Sequence, residues 1–381
     1  MKINELKVGM LGGGQLGKMM ALAAHNWDLT TWALDDSKTF PAGPVVSHFV
    51  EGNFKNYEDV YAFGKQVDVL TIEIEHVNTE ALLKLESEGK KVHPSPTALN
   101  IIKDKGLQKE FYKKNNLPTS PFQLWESGAA IRSAIATGEI KYPFVQKSRE
   151  AGYDGKGVAV IKSAADLDLL MDVPSMVEEM VDIEVEIAVV VARNESGEVK
   201  AFPPVAMEFN PVANLVEFLV CPAGLDEKIA AQAEALAIQT ISAYGLCGLL
   251  AVELFLAKNG ELLINEVAPR PHNSGHHTID SCYTSQYEQH LRGILNLPLG
   301  STKMKTASVM VNLLGEPGFT GSVNYEGLEE CLKMEGVKVH LYGKTTTKPY
   351  RKMGHVTVLD ADLENAKKKA RQVKEILKVV S

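Results

Sequence analysis

Two apolar segments that each carry a glutamate constrain the fold of this chain most strongly. They are Leu249-Leu250-Ala251-Val252-Glu253-Leu254-Phe255 and Leu263-Ile264-Asn265-Glu266-Val267, and both patterns predict β-strands. A glutamate that faces a protein interior is costly unless a cation neutralises it. Two of them on consecutive strands predict a divalent cation on Glu253 and Glu266, with Asn265 as a third oxygen ligand. Mg²⁺ is favoured, because it prefers oxygen ligands and accompanies phosphates.

The second segment runs into a proline-flanked loop, Ala268-Pro269-Arg270-Pro271-His272-Asn273-Ser274-Gly275-His276-His277. By count, the three histidines suggest zinc. Their spacing suits a helix face, but Pro269, Pro271 and Gly275 predict a loop instead. The alternative is an anion site, because Arg270 and His272 are neighbouring cationic donors that suit carboxylates or phosphates.

Size and composition narrow the class of protein. With 381 residues, two or three domains are expected. The net charge of −8 argues against a nucleic-acid surface, which needs a clustered basic face. No apolar run reaches about 18 residues, so no membrane span is expected. The N-terminus lacks a signal-peptide core, and the four cysteines have no paired spacing. Free thiols in the cytoplasm are therefore expected.

Strands and helices alternate in the first part of the chain. Strands are predicted over 7–11, 29–34 and 67–75, with a helix over 16–25. This alternation predicts a parallel, doubly wound sheet. Further helices are predicted over 97–115, 226–244 and 363–379 from their apolar periodicity. The prolines at 94 and 96 mark a plausible domain boundary.

A glycine loop, Gly12-Gly13-Gly14-Gln15-Leu16-Gly17, lies between the first strand and the first helix. It fits the G-x-G-x-x-G template, and Asp35 and Asp36 stand near the position of a ribose-binding carboxylate. Taken alone, this motif predicts NAD and an oxidoreductase. Its physical content is more general, since such a loop lets any phosphate or carboxylate reach the backbone N–H groups of a helix N-terminus.

A second glycine-rich turn, Gly152-Tyr153-Asp154-Gly155-Lys156-Gly157, is predicted between two short strands. It could close over a triphosphate, with Lys147 on the other side, although an ordinary flexible hairpin is the alternative. The segment Val177-Glu178-Glu179-Met180-Val181, followed by Glu186, is interpreted as an edge segment. It could present amides to an adenine and a carboxylate to a ribose, or it could be a solvated acidic turn.

The densest basic run, Lys344-Thr345-Thr346-Thr347-Lys348-Pro349-Tyr350-Arg351-Lys352-Met353-Gly354-His355, lies near the end of an acidic chain. A solvated basic loop is one interpretation. The other is a docking place for a substrate phosphate, where an arginine binds two oxygens at once.

In this order, the motifs resemble those of the ATP-grasp superfamily and, more closely, the N5-carboxyaminoimidazole ribonucleotide synthetase family. The resemblance spans nearly the whole chain. It is carried by the first glycine loop, by Glu73-Ile74-Glu75-His76-Val77, by the second glycine-rich turn, by the loop from Asn265 to His276 and by Arg351-Lys352-Met353-Gly354-His355.

The resemblance implies an ATP-grasp fold of the α/β and α+β classes, with an N-terminal doubly wound parallel-sheet domain (1–98), an ATP-grasp region (99–300, with a flap subdomain at about 115–180) and a C-terminal lobe (301–381). It implies a cytoplasmic homodimer that uses ATP and one or two Mg²⁺ ions. The implied reaction is the bicarbonate-dependent carboxylation of the exocyclic amine of 5-aminoimidazole ribonucleotide through carboxyphosphate. Another ATP-grasp carboxylate–amine ligase, a formyl-transferring enzyme of purine biosynthesis and a non-catalytic nucleotide sensor remain alternatives.

The resemblance also implies roles for individual residues. The implied ATP contacts are Lys109, Lys147, Gly152, Tyr153, Asp154, Gly155, Lys156, Gly157, Val158, Glu178, Glu179, Met180, Val181, Glu186, Asn210, Asn265 and Glu266. The implied catalytic residues are Lys147, Tyr153, Arg270 and His272, the metal ligands are Glu253 and Glu266, and the ribonucleotide contacts are Gln15, Glu75, Lys344 and Arg351. The chain departs from many relatives at Lys105, Val158, Asn210 and Tyr350.

Overall fold

The computed structural model describes residues 2–150, 157–210 and 215–381. Its N-terminal part is a five-stranded parallel sheet in the order β3-β2-β1-β4-β5. The strands are β1 Lys7–Leu11, β2 Thr30–Asp35, β3 His48–Glu51, β4 Val69–Ile72 and β5 Lys91–His93, and the helices are α1 Gln15–His25, α2 Tyr57–Gly64 and α3 Thr79–Ser87. The strand predicted over 67–75 is shorter than expected, because Glu73 turns toward the glycine loop.

Two helices follow this sheet, α4 Pro96–Lys103 and α5 Lys105–Lys114. The sequence predicted a single helix over 97–115, and that prediction is wrong at Asp104. Its carboxylate accepts the N–H groups of Gly106 and Leu107, so it caps the second helix. It also pairs with Arg149 at 2.6 Å, which holds the break in place.

A four-stranded antiparallel sheet in the order β6-β9-β7-β8 comes next. Its elements are β6 Phe122–Trp125, α6 Gly128–Ala136, β7 Phe144–Ser148, β8 Val158–Ile161 and β9 Ser175–Glu179. The predicted edge segment is therefore wrong in part, because β9 lies inside the sheet and pairs with both β6 and β7. Flap residues 152–156 lie outside the described residues.

The rest of the chain is built around long antiparallel strands. The central elements are β10 Ile183–Arg193, β11 Val199–Ala201, β12 Val205–Phe209, β13 Val216–Cys221, α7 Glu227–Tyr244, β14 Gly248–Ala257, β15 Leu262–Ala268, α8 Thr278–Ser281 and α9 Gln286–Ile294. Helix α7 packs on β10 and β14. Its buried residues Ala233, Ala237 and Ile241 contribute to the same core as Ile187 and Val189.

The C-terminal elements are β16 Ala307–Leu314, β17 Gly321–Ser322, β18 Asn324–Glu326, α10 Leu328–Leu332, β19 Val337–Leu341, β20 Thr346–Thr347, β21 Lys352–Asp360, α11 Leu363–Ile376 and β22 Lys378–Val380. A sheet in the order β15-β14-β10-β12-β13-β16-β21-β19, with β11 on β10, joins them to the central region. The helix predicted over 363–379 ends three residues early, because the chain turns into β22, which pairs with β18.

Two further sequence expectations can be compared with this structure. None of the helices in the part of the chain that the structure describes is both long and apolar enough to cross a bilayer. All four cysteines are free thiols, and Cys221, Cys282 and Cys331 are buried.

Candidate active site

The two predicted carboxylates face each other across neighbouring strands. Glu253 on β14 is the register partner of Glu266 on β15. Burial raises the pKa of Glu253 to about 8, and the charges of Glu266 and Glu186 add to the rise. Glu186 lies on the adjacent strand β10, and burial raises its pKa as well. The negative charge of the Glu253–Glu266 pair, with Glu186 on the next strand, therefore favours a positive charge at this position.

Lys105 supplies a positive charge at this position in the structure. Its ammonium contacts Glu266, and the two side chains form an ion pair. Burial alone would lower the pKa of Lys105, but Glu266 and Glu253 raise it above its ordinary value. The sequence prediction missed Lys105 as a site residue. It lies four residues before Lys109 on α5, and this spacing places both lysines on one helix face.

A buried cluster of opposite charges joins the two antiparallel sheets. The Glu178 carboxylate on β9 contacts the Lys109 ammonium at 2.5 Å and the Lys147 ammonium at 2.7 Å. Lys147 also donates to Oδ1 of Asn265 at 2.7 Å, which connects β7 to β15. The exposed fractions of Lys109 and Glu178 are only 1% and 3%. A solvated acidic turn is therefore excluded for Glu178.

The electrostatics of this cluster follow from its burial. Burial lowers the pKa of Lys109 to about 8, although Glu178 opposes that shift. For Glu178, burial would raise the pKa, but Lys147 and Lys109 together hold it below its ordinary value. The lysines therefore keep Glu178 ionised, and the charge of Lys147 also lowers the pKa of Glu266 on β15.

Arg270 and Glu75 form an ion pair between the loop after β15 and the loop after β4, with Nε and Oε1 2.8 Å apart. This contact joins Glu75, which was predicted to contact the ribonucleotide, to Arg270, which was predicted to be catalytic. Glu75 belongs to the N-terminal sheet region and Arg270 to the central region. The pair therefore joins two loops that both carry predicted acceptor-side residues.

His272 lies in the same loop, with Nε2 3.7 Å from Oε1 of Glu253. Its Nδ1 accepts the N–H of Ser274, so the ring proton is on Nε2. Burial, Arg270 and Lys352 lower the pKa of His272 well below its ordinary value. With this lowered pKa, His272 would meet an anion as a neutral hydrogen-bond donor, while Arg270 supplies the positive charge. Lys352, adjacent to Arg351, is a nearby positive charge that the sequence prediction missed.

The zinc alternative finds no support in the histidine positions. His276 Nδ1 is within hydrogen-bond distance of Gln286 and Tyr287, and His277 Nδ1 of Ser281. Across residues 2–150, 157–210 and 215–381, no group of three His, Cys, Asp or Glu side chains is arranged to hold a metal ion.

The first glycine loop binds carboxylates of the chain itself. Glu73 accepts the N–H of Gly14 at 2.7 Å and the N–H of Gly17 at 2.6 Å. Asp35 accepts the N–H of Gly13 at 2.7 Å. These are the donors that a dinucleotide pyrophosphate would need. The NAD interpretation is therefore wrong, because the side chain of Glu73, which directly follows β4, occupies the position of the pyrophosphate.

The predicted phosphate residues lie in one loop between β19 and β21. Lys344 donates to the carbonyl of Lys352 at 2.7 Å, and Arg351 donates to the carbonyl of Thr346 at 2.7 Å. Lys18 of α1 donates to the carbonyls of Leu341 and Tyr342 at the end of β19. The loop therefore lies against the helix whose first residue is Gln15.

The remaining predicted nucleotide contacts are more scattered. Gly157 and Val158 lie at the start of β8, and Glu179 ends β9. Met180 follows β9 and is 43% exposed, and Val181 comes next. Asn210 follows β12 and donates to Glu217 at 3.1 Å. Tyr153 and the other flap residues at 152–156 lie outside the described residues.

A lysine–glutamate cluster between two antiparallel sheets, beside a strand-borne carboxylate pair, is the arrangement of an ATP-grasp enzyme. Family models agree along the chain. The ribonucleotide synthetase preATP-grasp domain matches residues 5–103, the ATP-grasp domain matches 110–287, and the phosphoribosylaminoimidazole carboxylase C-terminal domain matches 308–369.

Individual relatives narrow the class. The structure of N5-carboxyaminoimidazole ribonucleotide synthetase from Thermotoga maritima is 45% identical, with a TM-score of 0.91 and 99% of each chain covered. The N5-carboxyaminoimidazole synthase of Aspergillus clavatus, solved with ADP and 5-aminoimidazole ribonucleotide, is 32% identical, with a TM-score of 0.89 and 98% of each chain covered. The phosphoribosylaminoimidazole carboxylase of Candida albicans is 39% identical over 94% of this chain. The matched part makes up only 65% of the length of that relative, which is the longer protein.

The chain belongs to the N5-carboxyaminoimidazole ribonucleotide synthetase family of ATP-grasp ligases. The family and the fold class predicted from the sequence are thereby confirmed.

Proposed function

We propose that this chain uses ATP and bicarbonate to carboxylate the exocyclic amine of 5-aminoimidazole ribonucleotide, giving N5-carboxyaminoimidazole ribonucleotide in purine biosynthesis. The observation that carries the proposal is the junction between two half-sites. The buried lysines and carboxylates of the central sheets lie on one side, and the Glu75–Arg270 pair lies on the other. An enzyme that passes a phosphate-activated carboxyl group to an acceptor needs such a junction.

In this proposal, ATP binds at the buried cluster of Lys109, Lys147 and Glu178. Lys109 and Lys147 supply positive charge for the phosphate oxygens, and Glu178 keeps both ammonium groups in place. The flap at 152–158, the segment 179–181, Glu186 and Asn210 complete the set of proposed ATP contacts. The Aspergillus clavatus relative was solved with ADP, which supports the binding of an adenine nucleotide by this chain.

Mg²⁺ fits the carboxylates of the central sheet. Glu253 and Glu266 would hold it, with Asn265 and Glu186 beside them, because burial, together with the charges of Glu266 and Glu186, raises the pKa of Glu253 to about 8 and a cation would relieve that cost. One or two ions would neutralise charge on the phosphates of ATP. Lys105 would have to leave Glu266 before a metal could use both carboxylates, since its ammonium contacts that group.

The proposed metal predicts a pH dependence. A carboxyl group must lose its proton to bind a cation, and the pKa of Glu253 is about 8. We therefore expect the apparent affinity for Mg²⁺, measured with saturating ADP and corrected for Mg–ADP in solution, to rise between pH 6 and pH 8.5. Glu253→Gln should flatten that rise. An affinity that stays constant or falls over this range would remove Glu253 from the metal site.

The chemistry proceeds in two parts. Bicarbonate attacks the γ-phosphorus of ATP and gives carboxyphosphate and ADP, while Lys147 stabilises charge on the transferring phosphoryl group. Carboxyphosphate breaks down to CO₂ and phosphate in a site that must exclude water. The exocyclic amine then attacks CO₂, and its proton passes to the released phosphate. Arg270 and the Nε2–H of neutral His272 stabilise the new carbamate, and Tyr153 orients it.

The ribonucleotide lies across the Glu75–Arg270 pair in this proposal. Gln15 and Glu75 contact its imidazole and ribose end, and Lys344 and Arg351 bind its phosphate. The contact of Lys18 with the end of β19 supports this placement, because it holds the basic loop against α1. The Aspergillus clavatus relative was solved with the same ribonucleotide.

Arg351→Ala is expected to raise the KM for aminoimidazole ribonucleotide by about 10- to 100-fold, the range for losing one charge-assisted hydrogen bond to phosphate. The KM for ATP should stay within about twofold. Arg371→Ala, which removes an exposed arginine from α11, is the matched control and should leave both constants unchanged. An unchanged KM for the ribonucleotide in Arg351→Ala would move the phosphate site elsewhere.

A coupled ADP-release assay tests the proposed reaction. Full turnover should need ATP, bicarbonate and aminoimidazole ribonucleotide together. Turnover with a carboxylate or formyl donor in place of bicarbonate would favour another ATP-grasp ligase. ATP binding without any turnover would favour a nucleotide sensor.

We also propose a cytoplasmic homodimer and a division into residues 1–98, 99–300 and 301–381. The three family matches support the division, since they fall in these three parts with modest overlap at the first boundary.

A further inference from the structure

The G-x-G-x-x-G loop encloses a side chain in place of an external ligand. A Cβ atom added to Gly12 would lie 2.2 Å from Cγ of Glu73, and one added to Gly14 would lie 2.4 Å from its Oε1. At Gly17, the added atom would lie 3.0 Å from the carbonyl oxygen of Gly12 and 3.2 Å from Oε2 of Glu73. Gly12 and Gly14 therefore leave space for Glu73, and Gly17 leaves space for the turn itself as well as for that side chain.

Glu73 is also the only carboxylate among the described contacts that bonds both ends of this turn. One oxygen accepts the N–H of Gly14, before α1, and the other accepts the N–H of Gly17, inside its first turn. An anion at a helix N-terminus is favoured by the helix dipole and by the free N–H groups. Glu73 thus ties the start of α1 to the loop that follows β4.

That loop and that helix end carry the two proposed acceptor contacts of the N-terminal domain. Gln15 follows Gly14 directly and is the first residue of α1. Glu75 lies two residues beyond Glu73 and pairs with Arg270 at 2.8 Å. A shift of Glu73 would therefore move Gln15 and Glu75 relative to each other and to Arg270.

We propose that Glu73 is a positioning residue for the acceptor substrate. It is bound in the glycine loop and acts through Gln15 and Glu75, without contacting the ribonucleotide itself. This role rests on the proposed function, since it concerns the ribonucleotide side of that same site. It assigns a purpose to the G-x-G-x-x-G motif that needs no dinucleotide. The loop holds an internal carboxylate that aligns two elements of the acceptor site.

Glu73→Ala and Glu73→Gln test the role. Both should raise the KM for aminoimidazole ribonucleotide at least tenfold, while the Kd of ADP stays within twofold of the wild-type value. Asp35→Asn is the matched control. Asp35 accepts the N–H of Gly13 in the same loop but does not bond the loop that carries Glu75, so its KM should change less than threefold.

Chemical rescue separates positioning from a general structural role. Glu73→Ala leaves the N–H groups of Gly14 and Gly17 without their acceptor, in a space of carboxylate size. Added formate or acetate should therefore lower the KM of this variant toward the wild-type value, and chloride at equal ionic strength should not. A variant that is merely less stable would not respond to formate in this way.

Several outcomes overturn the inference. They are an unchanged KM in both Glu73 variants, an equal rise of KM in Asp35→Asn, an equal weakening of ADP binding, and no response of Glu73→Ala to formate or acetate. A wild-type enzyme without ribonucleotide-dependent turnover would instead refute the proposed function, and this is read from the wild-type assay before any variant is compared.

Discussion

Glu266→Gln is expected to lower the rate of ADP formation by about 10³-fold, because removal of a proposed metal-binding carboxylate takes away several kcal/mol of transition-state stabilisation. The fold should survive. Lys105 loses its contact with Glu266, but the neighbouring Glu253 also attracts its ammonium, and Glu253 loses its proton more readily once the charge of Glu266 is gone. The measurement is bicarbonate-dependent ADP release, with thermal unfolding of the same preparation as the check on folding.

Glu261→Gln is the matched control for this prediction. Glu261 precedes β15 and is exposed, so its replacement should change neither ADP release nor thermal stability. Retention of bicarbonate-dependent ADP formation in Glu266→Gln would refute the metal assignment on β15.

Glu178→Gln is expected to lower the free energy of unfolding by about 3–5 kcal/mol, the range for breaking a buried ion pair by removal of one partner. The side chain of Gln fills almost the same space, but Lys109 and Lys147 lose their shared counter-charge. Both lysines are at least nine-tenths buried, so water cannot replace it. Urea denaturation at pH 7 measures the loss.

The same variant has a pH signature whose sign follows from Lys109. Burial already lowers the pKa of that ammonium to about 8 in the wild-type protein, below its unfolded value of 10.5. A lysine with a lowered pKa destabilises the fold while it is charged, and the destabilisation fades as pH rises through the folded pKa. The defect of Glu178→Gln should therefore be smaller at pH 9 than at pH 7.

Glu179→Gln provides the comparison for Glu178. It is the next residue on β9 and is exposed, so its replacement should cost less than about 0.5 kcal/mol. A loss below 1 kcal/mol in Glu178→Gln, or a defect that grows with pH, would contradict the account of this cluster.

The carboxylate pair was the part of the site that the sequence predicted best. Glu253 and Glu266 stand inside apolar strands, and a buried charge is informative wherever it occurs. The structure makes them register partners on β14 and β15. The prediction succeeded because strand periodicity and the cost of burial act locally, within a few residues of each glutamate.

The contacts that cross the chain could not be predicted in this way. Lys109 and Glu178 are far apart in sequence, and only the packing of α5 against β9 brings them together. The first glycine loop misled the prediction for the same reason. Its local pattern fits a dinucleotide-binding loop, but the loop is filled by the side chain of Glu73, which follows a different strand, β4.

Element ends were also difficult to predict where side chains override periodicity. Asp104 breaks a helical pattern that continues on both sides, because its carboxylate caps α5 and pairs with Arg149. The end of α11 depends on β22 finding a partner in β18, which the sequence of the helix does not contain.

The central claim is that the carbon of bicarbonate ends on the exocyclic nitrogen of the ribonucleotide. The most direct measurement is ¹³C NMR of a reaction with ¹³C-bicarbonate, ATP, Mg²⁺ and ribonucleotide labelled with ¹⁵N in its exocyclic amine. We expect a carbamate carbon coupled to that nitrogen, formed with one ADP per carboxylated product. A labelled carboxylate on a ring carbon, or ADP formed without a labelled product, would contradict the proposed reaction.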